Sequence, residues 1–426
     1  MSSVSTAKAV KVALNNAIDQ IEEQMLMGVL ARKEDVSGAD LQNASNQIWR
    51  RVEQQANTFE GWDATGNYAD IIDLTYPARL GTPQNSGTNP RADDLRDQRY
   101  LNDWTQTALK RLMSKQNSQI ANLVKNTGSV FFDATVDGTA GNTGYDAIKT
   151  VDTIFNERQL ATEAGISIFL NDRDAQLISS DIANRSNMNG MPETVYKNGM
   201  IAYNTAGSNL YECSFIPAIT GAASPSTTVA ADVSQAPVAN KTVAGEVVPV
   251  DYRISDDIAL VDASGFEEGD WVEFTGVNAL GLADKNPTGE PMTFKIVEIT
   301  SNNIKVYPKP IALDDGALDA AELAYANIDT QITSGTAIVR KNIDASKRGN
   351  AFWVNDSVEI LNADSGVSSW GDLGGMKYET ATLSSGTRVV MAYDGDIDTL
   401  SLKVRLFTWY GLTNRDPSRN GMFTIS

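Results

Sequence analysis

RADDLRDQRYLNDWTQTALKRLMSKQNSQIANLVKNTG, residues 91–128, is the stretch on which the fold turns. Leu95, Leu101, Trp104, Ala108, Leu112, Ile120 and Leu123, with Met113 and Val124 beside the last of them, recur at helical spacing. Gly128 is a natural terminator. The spacing predicts a helix of about 30 residues, roughly 45 Å long at about 1.5 Å per residue. Asp93, Asp94 and Asp97 fall in or beside its first turns, where carboxylates answer the exposed N–H groups and the positive end of the helix dipole. The acidic cluster therefore reads as a helix start and not as a catalytic group.

Upstream, Val10, Leu14, Ile18, Ile21 and Met25 mark a shorter amphipathic helix. Its charges oppose its own dipole, with Lys8 and Lys11 near the start and Asp19, Glu22 and Glu23 at the end. From 46 to 80 the period changes to two. Ile72, Leu74, Tyr76, Ala78 and Leu80 alternate along a strand, QIWRRVEQ supplies a partner, and FEGWDATGN between them reads as a loop. A two-stranded ribbon of this kind is marginal alone, so it needs another surface to lie on. The expectation is that ribbon and amino-terminal arm bury their apolar faces against another subunit.

Downstream, GTAGNTG (138–144) lacks both a preceding dinucleotide-binding strand and a phosphate-loop lysine, and reads as a turn before a helix marked by Ile148, Val151, Ile154 and Phe155. GISIFLND is a buried strand and DRDAQLI opens another helix. The Ala-, Ser-, Thr-, Pro- and Val-rich run at 220–245 reads as a boundary or a long mobile loop. Beyond it, DIALVDA, GDWVEFTGV, PMTFKIVEIT and NIKVYPKPI are short strands spaced as in a small β-barrel, placed at 222–343. NAFWVNDSVEIL and TLSLKVRLFTWYGL then return to the earlier α/β region, so the barrel is an insert in a discontinuous domain.

Composition narrows the chemistry. The chain of 426 residues has no histidine, which excludes an imidazole base, a Ser/His/Asp relay and His-ligated metal. Its one cysteine, Cys213, forbids an intrachain disulfide and reads as a buried, inert thiol in a reducing compartment. Net charge is −19, which repels nucleic acid over most of the surface. The amino terminus lacks the apolar core of a signal peptide, and no run is long enough to span a bilayer. Carboxylate neighbours (Glu53 with Glu60 and Asp63; Asp93 with Asp94) arise by composition among 54 acidic residues. Asp394–Asp398, DGDID, lacks the rest of a calcium loop and reads as a polar turn. Trp49 and Trp62 on the ribbon read as protein-contact residues. No catalytic, cofactor or metal residue is expected.

Six strings in one register, SNQIWRRVEQQANTFEGWD, RADDLRD, YPKPIALDD followed by AYANIDT, FWVNDSVEI, GDIDTLS and WYGL, resemble the major coat proteins of phage P22 and its short-tailed relatives. The likeness covers nearly the whole chain, except the first part of the insert, which aligns with nothing, and a divergent amino-terminal arm.

The resemblance implies an α+β, Hong Kong 97-like capsid fold with an inserted barrel. It places an arm and following loop at 1–45, an E-loop at 46–80, a P-domain with spine helix at 81–127, the first part of an A-domain at 128–221, the insert at 222–343 and return strands of both domains at 344–426. It implies a major capsid protein that self-assembles with a scaffolding protein into an icosahedral procapsid of hexamers and pentamers, usually of triangulation number seven, and expands on DNA packaging. A cellular compartment shell of the same fold is the alternative reading, and a carboxylate-using carbohydrate enzyme a more distant one.

Expected partners are other copies, scaffold, a portal at one vertex, and double-stranded DNA held without tight or sequence-specific binding; no membrane is involved. The expected location is the virion capsid, with assembly in the bacterial host cytoplasm. Candidate subunit-interface residues are Trp49, Arg50, Arg51, Glu53, Glu60, Trp62 and Asp63. Candidate scaffold contacts are Asp19, Glu22 and Glu23.

Overall fold

The helix predicted at 91–125 runs from Gln98 to Thr127, 30 residues, with no acid in its first turn: Asp94 lies ahead of it and accepts from the Arg91 N–H at 3.1 Å, and Asp93 and Asp97 lie outside the described residues. Leu101, Ala108, Leu109, Leu112 and Met113 form its buried face, packed on Val389, Met391, Tyr393, Val404 and Leu406 and on Val10, Ala13 and Leu14 of a helical segment at 10–18. This corrects the expectation for the arm. Val10, Ala13, Leu14 and Ala17 are buried within their own chain, the two alanines widening the stripe that the larger side chains announce.

The computed structural model describes residues 10–18, 26–36, 47–56, 62, 63, 65, 68, 70–91, 94, 98–137, 139, 142–160, 165–185, 200–205, 207–243, 245–343, 347–363, 377–383, 385–396, 398 and 400–425. Its contacts divide the chain into two compact units, one of Met1–Ile48, Ala78–Ile120 and Val358–Thr413, the other of Trp49–Pro77, Ala121–Ser357 and Asn414–Ser426.

In the first unit the long helix covers a four-stranded antiparallel sheet in the order Lys377–Thr382, Arg388–Asp396, Ser401–Thr408, Gln84–Thr88. Strand 401–408 alternates as the sequence leads one to expect, with Val404 and Leu406 inward and Lys403 and Arg405 outward. Asp394 and Asp396 lie in strand Arg388–Asp396 rather than in a free turn; Asp396 pairs with Ser401 where the hairpin reverses. A second sheet pairs Arg32–Val36 in parallel with Val358–Ala363, whose other neighbour is Tyr410–Asn414.

The second unit is built on a six-stranded mixed sheet in the order Val130–Ala134, Asn420–Ile425, Asn350–Val354, Ile166–Leu170, Ser208–Glu212, Met200–Thr205. All five residues of Ile166–Leu170 are buried between a parallel and an antiparallel neighbour, four of them apolar and Ser167 donating to Asn355 Oδ1 at 2.6 Å. Helix Gly144–Glu157 starts at the predicted turn, where Thr143 and Asp146 form a reciprocal capping box, and buries Ile148, Val151 and Phe155 against the sheet. Helix Asp172–Arg185 packs beside it.

The same unit holds the insert. Its strands are ordered Thr227–Thr228, Ala337–Arg340, Trp271–Leu280, Pro287–Thr300, Asn303–Tyr307, Ile258–Ala259, and a bridge between Val229 and Leu260 joins the two ends of the series, closing a barrel. Phe274, Phe294, Ile296, Ile304, Val306 and Ile338 fill it with a core of its own. Entry and exit strands pair as Ala218–Ile219 with Lys347–Arg348. Above this neck, Arg340 is bound to Asp270 at 2.5 Å and donates to the carbonyls of Ala223 and Gly265, while Asn342 donates to Thr220 O and to Asp270. A buried Arg–carboxylate pair with every neighbouring acceptor engaged fixes where the two crossings meet. The stretch 220–245, read as a boundary or a long mobile loop, ends in the first strand of a formed hairpin, Asn240–Val243 with Glu246–Pro249, with Gly245 at φ +89°.

Candidate assembly surfaces

The ribbon exists. Gln47–Arg51 pairs with Thr75–Arg79, and Leu74, Tyr76, Ala78 and Leu80 are buried with the predicted alternation. What it lies on differs from expectation: its proximal part is seated on the insert of its own chain. Thr75 bridges to Asp251, and the Tyr252 N–H donates to Thr75 O at 3.2 Å. The Arg253 guanidinium, held by both oxygens of Asp251 at 2.8 and 2.7 Å, lies 5.0 Å over the Tyr76 ring. Further out, one hydroxyl ties both sides together, since Tyr325 donates to Ile72 O (3.2 Å) and accepts from the Gln55 N–H (3.3 Å). Sequence reasoning missed Arg253 and Tyr325, because partners about 180–270 positions apart leave no periodic trace.

Beyond that seat the side chains turn outward. Trp62 is fully exposed, and Tyr68 and Ile71 are 85% and 72% exposed. Three large, exposed side chains within ten residues of sequence are the kind of surface that another protein covers.

The predicted interface residues divide accordingly. Trp49 is at the edge of exposure and Arg50 is half-buried on strand Gln47–Arg51. Arg51 pairs with Asp73 at 3.1 Å across the exposed side of the ribbon, an ion pair that stabilises by about 1 kcal/mol or less. Glu53 stands 3.9 Å from Arg419, which Asp416 (3.2 Å) and Asp356 (3.6 Å) also hold. Asp63 accepts from the Thr65 N–H at 2.9 Å, and the Thr65 hydroxyl and N–H hold its carboxyl below the ordinary range. Trp62 and Asp63 are thus sequence neighbours, while Arg51 is paired within the ribbon and Glu53 with the chain's last segment. Glu60, Asp19, Glu22 and Glu23 lie outside the described residues.

A second exposed surface is the hairpin 240–249, where Val243, Val247 and Val248 are 55%, 71% and 41% exposed. The β-branched residues of KTV and EVV on either side of Gly245 were its available signal.

The remaining polar features are structural. Asp146 caps a helix, Glu273 is bound to Lys341 at 2.8 Å and Asp133 accepts from Thr424, so these three acids lining the groove between helix 144–157 and the insert serve local bonds. Among the described residues no group of three or more His, Cys, Asp or Glu side chains is placed to hold a metal, and no helix is long and apolar enough to cross a membrane. Cys213 is buried, and burial pushes its thiol up to about 11.

Among solved structures the chain is similar to the capsid of cyanophage P-SCSP1u, at 9% identity over 93% of this chain and 86% of that one with a TM-score of 0.45. It is similar to a chain of Mycobacterium phage Che8 at 9% identity, over 93% and 90% with a TM-score of 0.42. Over 29% of its length it is similar to the CUS-3 coat protein I-domain, at 26% identity over 99% of that chain with a TM-score of 0.23. The family model described as P22 coat protein, gene protein 5, matches residues 2–424. This chain belongs to the P22 coat protein family, whose members are phage coat proteins.

Proposed function

We propose that this chain is the major coat protein of a short-tailed phage and that it assembles with a scaffolding protein, in the bacterial cytoplasm, into an icosahedral procapsid that expands when DNA is packaged through a portal. Family membership supplies the capsid role. The observation that carries the assembly reading is the ribbon, fixed at its seat by Tyr325 and Arg253 and exposing Trp62, Tyr68 and Ile71 beyond it. An anchored arm with an apolar end costs little further conformational entropy on meeting a neighbour, so contacts that are weak singly close a symmetric shell. In this reading residues 46–80 are the E-loop, 81–127 the P-domain with its spine helix, 128–221 the first part of the A-domain, 222–343 the insert and 344–426 the return strands, after an arm at 1–45. Trp49, Arg50, Arg51, Glu53, Glu60, Trp62 and Asp63 are its subunit contacts, and Asp19, Glu22 and Glu23 its scaffold contacts.

Sedimentation and electron microscopy of the purified chain, with and without scaffold, test this. Closed shells are expected with scaffold. A chain that stays monomeric at high concentration under both conditions contradicts the reading.

A further inference from the structure

The long helix is basic in an acidic chain. Its 30 residues carry Arg99, Lys110, Arg111, Lys115 and Lys125 against one acid, Asp103, whereas the whole chain has 54 acidic and 35 basic residues. Lys125 stands in the last turn, where a cation complements the dipole. That account fails for Lys110, Arg111 and Lys115, which stand mid-helix. No acid lies three or four positions from any of them, and Arg111 with Lys115 is a like-charged pair four apart, which weakens a helix. All three side chains are exposed, and none has an ion-pair or hydrogen-bond partner among the described residues.

The rest of that face decides what could cover it. Thr107, Ser114, Ser118 and Asn122 share with the three cations an arc of about 140° at 100° per residue. From 101 to 127 the helix exposes no large hydrophobic side chain. A protein–protein interface needs apolar or aromatic anchors at its centre, and the stretch 107–122 that carries the three cations exposes none; Tyr100, 40% exposed on the same side, stands ten residues or about 15 Å from Lys110. Hydroxyls, amides and cations without acceptors of opposite charge are instead the groups that contact phosphate oxygens. Lys110 to Arg111 to Lys115 spans about 7.5 Å of helix axis, a length over which one DNA strand presents two or three phosphates.

We propose that the exposed Lys110, Arg111 and Lys115 stripe of the long helix is a docking surface for the phosphate backbone of double-stranded DNA. The inference rests on the coat-protein reading, in which the shell encloses DNA. It adds one basic stripe to a chain that is otherwise repulsive to nucleic acid, so contact is local, independent of sequence and strongly screened by salt.

The test titrates full-length dissociated subunits with a random-sequence 30-base-pair duplex between 50 and 200 mM salt, following fluorescence anisotropy. The comparison is the triple variant Lys110→Gln, Arg111→Gln, Lys115→Gln. Removing about three phosphate contacts lowers the slope of log affinity against log salt by about 2.7, so the wild type loses about 40-fold more affinity than the variant over that range. The variant should melt no lower than the wild type, because the like-charged pair is gone. Equal affinity and equal slope for the two proteins overturn the proposal, as does absence of wild-type binding at 50 mM salt. A variant that binds DNA like the wild type but forms no shells makes the stripe a coat–coat contact and also overturns it. Failure of the wild type itself to form shells is the separate failure of the coat-protein reading.

Discussion

At the scale of single residues, the junction of the insert with the end of the long helix turns on Trp271, Lys295 and Gly128. The buried Trp271 indole N–H donates to Gly128 O at 2.9 Å and its ring stacks on Phe131 at 4.8 Å, while the Lys295 amine lies 3.0 Å from the ring centroid on a side chain 1% exposed. The nearby Asp270 is already bound by Arg340 and Asn342. Burial holds the Lys295 amine well below its ordinary value of 10.5; Asp270 opposes that shift and Lys125 adds to it. The unfolded chain therefore binds a proton that the folded chain resists, so this lysine makes stability rise with pH from its folded pKa up to 10.5. Replacing Lys295 by Met should flatten that rise and stabilise the protein at neutral pH by about 1–3 kcal/mol; urea denaturation at pH 7, 8 and 9 measures both. An unchanged slope would assign the pH dependence to another group. Gly128 has a different constraint. Its N–H still donates to Val124 O at 2.8 Å and its φ is not left-handed, so glycine is required by space. An added Cβ would meet Val124 O at 2.7 Å, Asn420 Oδ1 at 2.8 Å and Gly421 Cα at 3.0 Å. Gly128→Ala should destabilise by about 1–3 kcal/mol, with Gly395→Ala, which meets nothing within 4 Å, as the control.

Among the elements, the insert combines independence with attachment. Its core of Phe274, Phe294, Ile296 and their neighbours lies within 229–338, and its ends meet at the neck, so residues 222–343 expressed alone should fold, giving a β-rich circular dichroism spectrum and dispersed amide resonances. Without Phe131 and Gly128 the Trp271 ring loses its cover, and its fluorescence should shift to the red of the intact chain's contribution. A spectrum of disorder would mean that the barrel depends on the rest of the second unit. What the sequence reveals of this architecture follows from periodicity. The 30-residue helix, the ribbon alternation at 72–80 and the five buried residues of 166–170 are local patterns that side-chain spacing exposes. The seat of the ribbon is not local. Tyr325 lies 253 positions from Ile72, and a tyrosine in a helix-end turn looks the same whether or not it ties a distant strand. The hairpin at 240–249 was hidden by composition, because Ala, Ser, Thr and Val serve loops and edge strands alike.

Over the whole molecule, charge is distributed against its average. The chain carries −19, yet the 30-residue helix is basic, and the proposed scaffold contacts are an acidic group that follows the helical segment 10–18 in sequence. The arm helix is not free to swing as a separate ligand at its start, since Val10, Ala13, Leu14 and Ala17 are packed in the first unit's core. Asp19, Glu22 and Glu23 follow directly in sequence. Carboxylates at a helix carboxyl end oppose the dipole by a few tenths of a kcal/mol each, so their replacement should not cost stability. An exposed ion pair with a basic partner is worth about 1 kcal/mol or less and is screened by salt, but a shell repeats it in every subunit. The triple variant Asp19→Asn, Glu22→Gln, Glu23→Gln should therefore keep the wild-type melting temperature while assembling more slowly with scaffold and showing weaker salt dependence of that assembly. Light scattering of assembly at several salt concentrations, with differential scanning calorimetry of the unassembled chain, provides both readings. If the variant follows wild-type assembly at every salt concentration, the acidic end of the arm is only a solvated face and the scaffold binds elsewhere.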